Sequence, residues 1–132
     1  DGIATREVRL RHRFDLEPVR DMIAEAAGSG VRILHSHGYK ANICSALLPK
    51  RLGVAKVATL HGWTGFSPTH RVWWYEAAER ALLRRIDVVA TVHSSMRNLV
   101  ARSGVAGSQL RVIPNGVPCA GGELALRERP DG

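Results

Sequence analysis

The amino-acid sequence predicts an α/β fold in which a parallel sheet carries helices on both faces. Three short apolar runs rich in β-branched residues, at 31–34, 57–60 and 88–92, have the length of buried strands. Segments with apolar residues at helical spacing separate these runs. Strands that alternate with helices favour parallel pairing through right-handed crossovers.

The chain begins with a weak strand pattern and a clearer helix pattern. Residues 7–11 alternate weakly between polar and apolar side chains, which predicts a short strand. Asp15 is the predicted N-cap of a helix, and Gly28 and Gly30 are predicted to end this helix. The inward residues of this helix follow at helical spacing: Leu16, Val19, Met22, Ile23 and Ala26. Residues 31–34 are the first strong strand.

The middle of the chain predicts two helices on either side of a strand at 54–60. The first covers 39–48 and ends at Pro49. The second covers about 69–85, because Ser67 resembles a cap and Pro68 suits the first helical position. We expect Glu76 and Arg80 to pair on its outer side. Its inward stripe is predicted to comprise Trp74, Tyr75, Ala78, Ala81 and Leu82.

The last elements are a strand at 88–92, a helix capped by Ser94 or Ser95, and a strand at 110–113. Met96, Leu99 and Val100 give that helix its apolar side, and Gly104 ends it. Together the elements predict one Rossmann-like domain over residues 1–117. Residues 118–132 are charged and rich in Gly and Pro, which predicts a linker or a disordered tail.

The composition limits the classes of function. With 132 residues and 45% apolar content, the chain suits a single globular domain. Its polar, charged N-terminus leads us to expect no signal peptide, and no apolar run approaches the roughly 20 residues that span a bilayer. Cys44 and Cys119 lie too far apart for a zinc spacing or a disulfide framework, so we expect a reducing, cytoplasmic setting. The net charge of +7 favours anionic partners, but the scattered basic residues predict no nucleic-acid binding.

Histidines follow the predicted strands, at the edge where open parallel sheets bind ligands. His61 is the main candidate for a binding residue, because Gly62 after it allows a ligand to approach the backbone. His37 beside Gly38 is expected to face the same crevice. We expect His35 to be a core residue and His93 to cap a helix. A metal site is not expected, since no Asp, Glu or Cys accompanies these histidines.

Aromatic residues near this edge leave two interpretations open. Trp63 and Phe66 could stack on a sugar or could cover the end of the sheet. Trp73 is expected on the outer face of its helix beside Arg80 and Arg84. Such a face is typical of membrane-surface helices and also of packing against a neighbouring element.

An ordered series of segments resembles the N-terminal domain of family 4 glycosyltransferases, which are retaining enzymes of the GT-B fold. The series comprises His-x-His-Gly at 35–38, Thr-x-His-Gly at 59–62, Glu-Arg at 79–80 and Pro-Asn-Gly-Val at 114–117. The similarity extends from about Val8 to Val117. In this family two Rossmann-like domains face each other across a cleft.

The resemblance implies roles for particular residues. His61 would contact the transferred sugar and support catalysis, with Gly62 and Trp63 beside it in the substrate site. The acceptor side would include His37, Gly38 and Tyr39. The hinge to the second domain would include Asn115 and Gly116.

The resemblance also implies partners. A nucleotide-sugar would be the co-substrate of a hexosyltransferase-type reaction without a cofactor, and a carbohydrate or glycolipid precursor would be the acceptor. The location would be cytoplasmic, with a peripheral contact at the inner face of the membrane. The family's glycine-rich first loop and its donor-binding domain are absent from the sequence, so we expect a partial domain that is inactive alone.

Two other interpretations stay open at this level. The chain could be a non-catalytic Rossmann-like module for binding or interaction. A sugar-nucleotide epimerase of related fold would need acidic residues at the strand ends, and the sequence places none there.

Overall fold

A computed structural model describes residues 16–65 and 67–116. Its centre is one sheet of four strands in the order β1-β2-β3-β4, and every neighbouring pair is parallel. The parallel, Rossmann-like α/β class that the sequence predicts is therefore confirmed. The strands are β1 (Ile33–His37), β2 (Ala55–Leu60), β3 (Val88–Thr91) and β4 (Leu110–Val112).

Four α-helices accompany the sheet in the described part of the chain. Helices α2, α3 and α4 each connect one strand to the next, while α1 precedes β1 and packs against α2. Short 3₁₀ turns at Lys50–Leu52, Leu83–Arg85 and Gly107–Gln109 complete the connections. The helices are α1 (Glu17–Gly28), α2 (Tyr39–Leu47), α3 (Arg71–Leu82) and α4 (Ser94–Arg102).

The hydrophobic core lies between the sheet and this helix layer. The strand order follows the chain order, so right-handed crossovers place the three connecting helices on one face. Side chains of α2, α4 and three strands share one buried cluster there, which includes Ala46, Met96, Ala58, Val89 and Leu110. The sequence predicts helices on both faces of the sheet, and the connecting helices of the described residues cover one of them.

The opposite face of the sheet is more accessible. Side chains alternate along a strand, so β1 directs Ile33, His35 and His37 away from the helix layer. Ile33 is 65% exposed at the edge of the sheet. Val57 and Thr59 continue this face on β2 and are half-buried. The strand-end histidines therefore lie where the described helices do not cover them.

Two helix caps differ from the sequence-based prediction. α3 begins at Arg71, and His70 rather than Ser67 caps it by accepting a hydrogen bond at Nδ1 from the Val72 N–H. α4 is capped by His93, whose Nδ1 accepts from the Met96 N–H at 3.1 Å, and the prediction of Ser94 or Ser95 was wrong. The capping role expected for His93 itself is confirmed.

The predicted inward stripe of α3 was correct for Leu82, which packs against the core cluster, and wrong for Trp74 and Ala81. Trp74 is 61% exposed, and Ala81 is exposed as well. The buried residues of this helix are Glu76 and Glu79, although Glu76 was expected on the outer side. Each carboxylate accepts hydrogen bonds from other segments, which offsets the cost of burial that an unpaired polar group would carry.

Several expectations concern residues outside the described part of the chain. These are the strand at 7–11, the Asp15 cap, Phe66, Cys119, and the linker or tail at 118–132. Within the described part, α1 begins at Glu17 directly after Leu16. No helix there is both long enough and apolar enough to cross a membrane.

Candidate active site

The candidate site lies at the carboxyl ends of β1 and β2. His35 and His37 belong to β1, and His61 follows β2 directly. The parallel register places His37 opposite Thr59, two residues before His61. The sequence-predicted site histidines of the first two strands therefore meet at one edge of the sheet.

The three imidazoles form a row. The ring centroids of His35 and His37 are 4.4 Å apart, and those of His37 and His61 are 6.1 Å apart in a nearly stacked arrangement. All three side chains are exposed. An imidazole offers a nitrogen donor and a nitrogen acceptor, so this row suits a ligand rich in hydroxyl groups.

His35 does not have the core position that we expected from the sequence. It is exposed, and its Nε2 forms a 2.8 Å hydrogen bond with Thr59 Oγ1 across the β1–β2 ladder. The reason is the alternation of side chains: His35 and His37 are two residues apart and share the face away from the helices. This bond fixes the first ring of the row.

Gly38 turns the chain from β1 into α2. Its φ of 78° and ψ of 155° lie in a region that side-chain-bearing residues rarely adopt, and the residue serves as the N-cap of α2. Its carbonyl accepts a hydrogen bond from the Asn42 N–H at 3.0 Å. Glycine at this position is therefore required by the backbone.

An open cavity of about 430 Å³ lies beside Gly38, between α1 and the first turns of α2. Tyr39 stacks on Tyr75 with 5.5 Å between ring centroids, and Lys40 Nζ lies 5.4 Å from the centre of the Tyr75 ring. The cavity thus combines an apolar wall, an imidazole and an ammonium group. Its lining residues are Pro18, Met22, His37, Gly38, Tyr39, Lys40, Ala41 and Cys44.

Gly62 occupies open space. Its φ is not positive, and a Cβ added to it would meet no heavy atom of residues 16–65 or 67–116 within 4 Å. The fold therefore gives no reason for glycine at this position, in contrast to Gly38. The described residues leave the space beside its backbone open.

The loop after Gly62 is held by α3. Trp63 Nε1 donates to Glu79 Oε2 at 2.7 Å, and the Arg80 guanidinium lies 4.3 Å above the Trp63 ring. Thr64 donates to Glu76 Oε1 from its N–H at 2.6 Å and from its hydroxyl at 2.7 Å. Trp63 is half-buried and packs against the core cluster, so one face of its indole contacts protein.

Glu79 connects this loop to α2. Its Oε1 accepts from Asn42 Nδ2 at 2.6 Å, and Asn42 Oδ1 accepts from the Ser36 hydroxyl at 2.7 Å. Burial raises the pKa of Glu79 above its ordinary value, and the nearby Glu76 carboxylate raises it too. The hydrogen bonds from Trp63 and Asn42, together with the Arg80 charge, oppose that rise.

Sequence reasoning did not identify Glu76, Glu79 and Asn42 as part of the site. Two glutamates three residues apart on a helix rich in aromatic residues were the available signal. Glu79 and Arg80 also belong to the segments that carry the family resemblance. The groups that donate hydrogen bonds to these buried carboxylates lie 12 to 37 residues away in the chain. The spacing of residues along α3 therefore does not predict the burial.

The remaining predicted site residues are the two of the proposed hinge. Asn115 and Gly116 are exposed after β4, and their hinge role stays a prediction. Within residues 16–65 and 67–116, no group of three or more His, Cys, Asp or Glu side chains is placed to hold a metal ion.

Comparison with known proteins gives one family. The family model described as Glycosyltransferase Family 4 matches residues 2–120, which include every described strand and helix. None of the curated proteins matches the chain.

Proposed function

Because the chain belongs to glycosyltransferase family 4, we propose that it forms the acceptor-side N-terminal domain of a retaining, nucleotide-sugar-dependent hexosyltransferase. One observation carries the proposal: the exposed rings of His37 and His61 lie 6.1 Å apart at the carboxyl edge of the sheet, beside the open backbone of Gly62. This edge is where parallel α/β sheets bind their ligands.

His61 has the central role in this proposal. Its imidazole would hydrogen-bond a hydroxyl group of the transferred sugar while the ring of that sugar lies over Gly62. A group fixed in this way lowers the barrier when it holds the reacting sugar in the geometry of the transition state. Trp63 borders the same space and would limit the movement of the sugar.

The departing nucleoside diphosphate needs concentrated positive charge, because its developing negative charge dominates the transition state. The described ends of β1 and β2, at residues 35–38 and 59–62, supply imidazoles and a threonine hydroxyl but no Lys or Arg side chain. We therefore propose that other residues bind the diphosphate, and that residues 1–132 alone do not catalyse transfer.

The cavity beside Gly38 is the proposed acceptor site. Its apolar wall fits the lipid part of a glycolipid precursor or the apolar face of a carbohydrate, and Lys40 could pair with a phosphate. His37 lies both in this cavity and in the histidine row. An acceptor bound there would meet the sugar held at His61.

A peripheral contact with the inner face of the membrane completes the proposal. Trp74 is 61% exposed on α3 and lies edge-on to Trp73, with ring centroids 4.8 Å apart. Arg71 on the same helix is exposed too. Exposed tryptophan and arginine on one helix are typical of membrane-surface binding.

A transfer assay tests the proposed activity. The full-length protein that carries this chain is incubated with a panel of sugar nucleotides and with carbohydrate and glycolipid acceptors, and nucleoside diphosphate release is measured. We expect acceptor-dependent release, and the anomeric configuration of the donor retained in the product by NMR. His61→Ala should lower kcat/KM by about 100-fold or more, the usual scale for a lost catalytic contact.

His93→Asn is the matched control. It also replaces an exposed histidine after a strand, but Asn preserves the helix cap, so the rate should stay within about twofold. Equal losses in the two variants would contradict the role of His61. No release with any donor would favour a non-catalytic binding module.

A further inference from the structure

We propose that Glu79 is a positioning residue that holds the two loops of the candidate active site in a fixed relation. The first loop follows β1 and contains Gly38, and the second follows β2 and contains Gly62 and Trp63. The inference rests on the proposed function, because the histidines assigned there to acceptor and sugar lie in or next to these loops.

The geometry of Glu79 is that of a bridge. It is 3% exposed, and its two carboxylate oxygens serve two different elements. Oε1 accepts from Asn42 in α2 at 2.6 Å, and Oε2 accepts from the Trp63 indole at 2.7 Å. Hydrogen bonds to a charged acceptor are stronger than neutral ones, so both elements are held tightly.

The Asn42 end of the bridge reaches the first loop. Asn42 is 1% exposed, and its backbone N–H donates to the Gly38 carbonyl. Its side chain accepts from Ser36, the residue before His37. Asn42 therefore contacts the residues on both sides of His37 and connects them to Glu79.

The Trp63 end reaches the second loop, and a neighbouring carboxylate strengthens it. Glu76 accepts two hydrogen bonds from Thr64, while Arg80 lies over the Trp63 ring and 3.7 Å from Glu76 Oε2. Two consecutive residues after Gly62 are thus fixed to α3. The path of the backbone at Gly62 follows from these anchors.

The cost of burying a carboxylate indicates that Glu76 and Glu79 position the loops rather than stabilise the fold in general. Buried carboxylates lose water, and replacing buried ion pairs by apolar residues of similar size often gives equal or greater stability. The buried residues of α3 are nevertheless Glu76 and Glu79. Glu76 also pairs with Arg80 in the next turn of α3, but the other partners lie outside this helix, in the first turn of α2 and in the second loop. We therefore infer that these carboxylates determine the geometry of the loops.

Two substitutions of Glu79 distinguish the roles. Glu79→Leu keeps the bulk and removes both acceptors. Glu79→Gln can keep the bridge if the side-chain amide of Asn42 flips. Trp63 then donates to the Gln oxygen, and the Gln NH₂ donates to Asn42 Oδ1. The Asn42 NH₂ donates to the Ser36 hydroxyl, which in turn donates to the Val57 carbonyl, now 3.3 Å away. Gln is therefore the expected rescue.

The readout is NMR of the chain with labelled tryptophan and histidine, after Trp63 is assigned through Trp63→Phe. In Glu79→Leu we expect the Trp63 indole N–H to exchange at least about tenfold faster, since the bond that protects it is lost. The ring resonances of His37 and His61 should move as well. Glu79→Gln should retain slow exchange and nearly unchanged histidine resonances.

Asp87→Ala is the matched control. It removes a carboxylate that accepts from the Lys56 N–H at 2.8 Å near the other end of β2, so it should leave the site resonances in place. If Glu79→Leu does not fold, Trp63→Phe provides the same test, because it removes one donor of the bridge and should move the His61 ring resonances.

Unchanged resonances of His37 and His61 in a folded Glu79→Leu or Trp63→Phe variant would overturn the proposal. Equal changes in Asp87→Ala would also overturn it, since the effect would then be one of general stability. These measurements need no substrate, so they succeed or fail independently of the His61→Ala transfer assay that tests the proposed function.

Discussion

At the scale of single residues, two glycines follow strand-end histidines for different reasons. Gly38 has a φ of 78°, whereas Gly62 has no positive φ, and at either position an added Cβ would meet no heavy atom of the described residues within 4 Å. Gly38→Ala should lower the free energy of unfolding by about 1–3 kcal/mol, because Ala is strained in that conformation. Gly62→Ala should change it by less than about 0.5 kcal/mol, as is usual for a surface site. Chemical denaturation measures both values.

Gly62→Ala should impair sugar-nucleotide binding although it should hardly change the stability. A methyl group at Gly62 would enter the space proposed for the transferred sugar, so Gly62→Ala should raise the KM for the sugar nucleotide in the full-length enzyme. A Gly62→Ala enzyme with unchanged kinetics would show that no ligand approaches this backbone.

Glu79 also predicts a pH dependence of stability. Burial raises the pKa of this carboxyl above its ordinary value of about 4.5, so the folded chain binds more protons than the unfolded chain in the interval between the two values. The contribution of Glu79 to the free energy of unfolding is therefore largest below pH 4.5 and falls as the pH rises through the folded pKa.

The variant Glu79→Gln isolates this contribution, because Gln does not titrate. The difference in unfolding free energy, wild type minus Glu79→Gln, should decrease as the pH is raised from about 4 to about 7. Denaturant titrations at several pH values measure it. A difference that stays constant or increases would contradict the raised pKa.

At the scale of elements, α3 shows both what a sequence pattern can predict and what it cannot. Its position between β2 and β3 follows from helical spacing and the apolar strands on each side. Its buried face does not, since Glu79 is buried because Asn42 and Trp63 supply donors from distant segments. Periodicity identifies apolar stripes, but the partners of a buried polar residue depend on the tertiary structure.

The exposed side of α3 predicts a lipid contact. Trp74→Ser should weaken binding of the full-length protein to anionic lipid vesicles severalfold, because an exposed indole and nearby arginines suit the membrane interface. Sedimentation with vesicles of anionic and neutral lipid measures the effect. Leu99→Ser is the control, since Leu99 is a 41% exposed apolar residue on α4.

Loss of binding in Leu99→Ser alone, or equal binding of the Trp74→Ser variant and the wild type, would contradict a membrane role for α3. Binding to neutral vesicles that matches binding to anionic ones would show that the arginines do not contribute. If Trp74→Ser binds vesicles as well as the wild type does, the exposure of Trp74 would be better explained by packing against another protein element.

At the scale of the whole molecule, the sequence predicts the order of elements, the parallel sheet and the edge where the histidines meet. Apolar runs that end at His35, His61 and His93 are sufficient for that prediction, because parallel strands end at one edge. The exposure of His35 was not predicted, since it depends on which sheet face the described helices cover. The sequence likewise does not show that Glu79 connects the two loops.

The central claim is that His61 and Gly62 hold the transferred sugar. The most direct test is a crystal structure of the full-length enzyme with an intact or non-hydrolysable nucleotide-sugar. We predict that the sugar ring lies over Gly62 with a hydroxyl group within hydrogen-bond distance of the His61 imidazole. A sugar bound elsewhere, with His61 open to solvent in the closed complex, would contradict the claim.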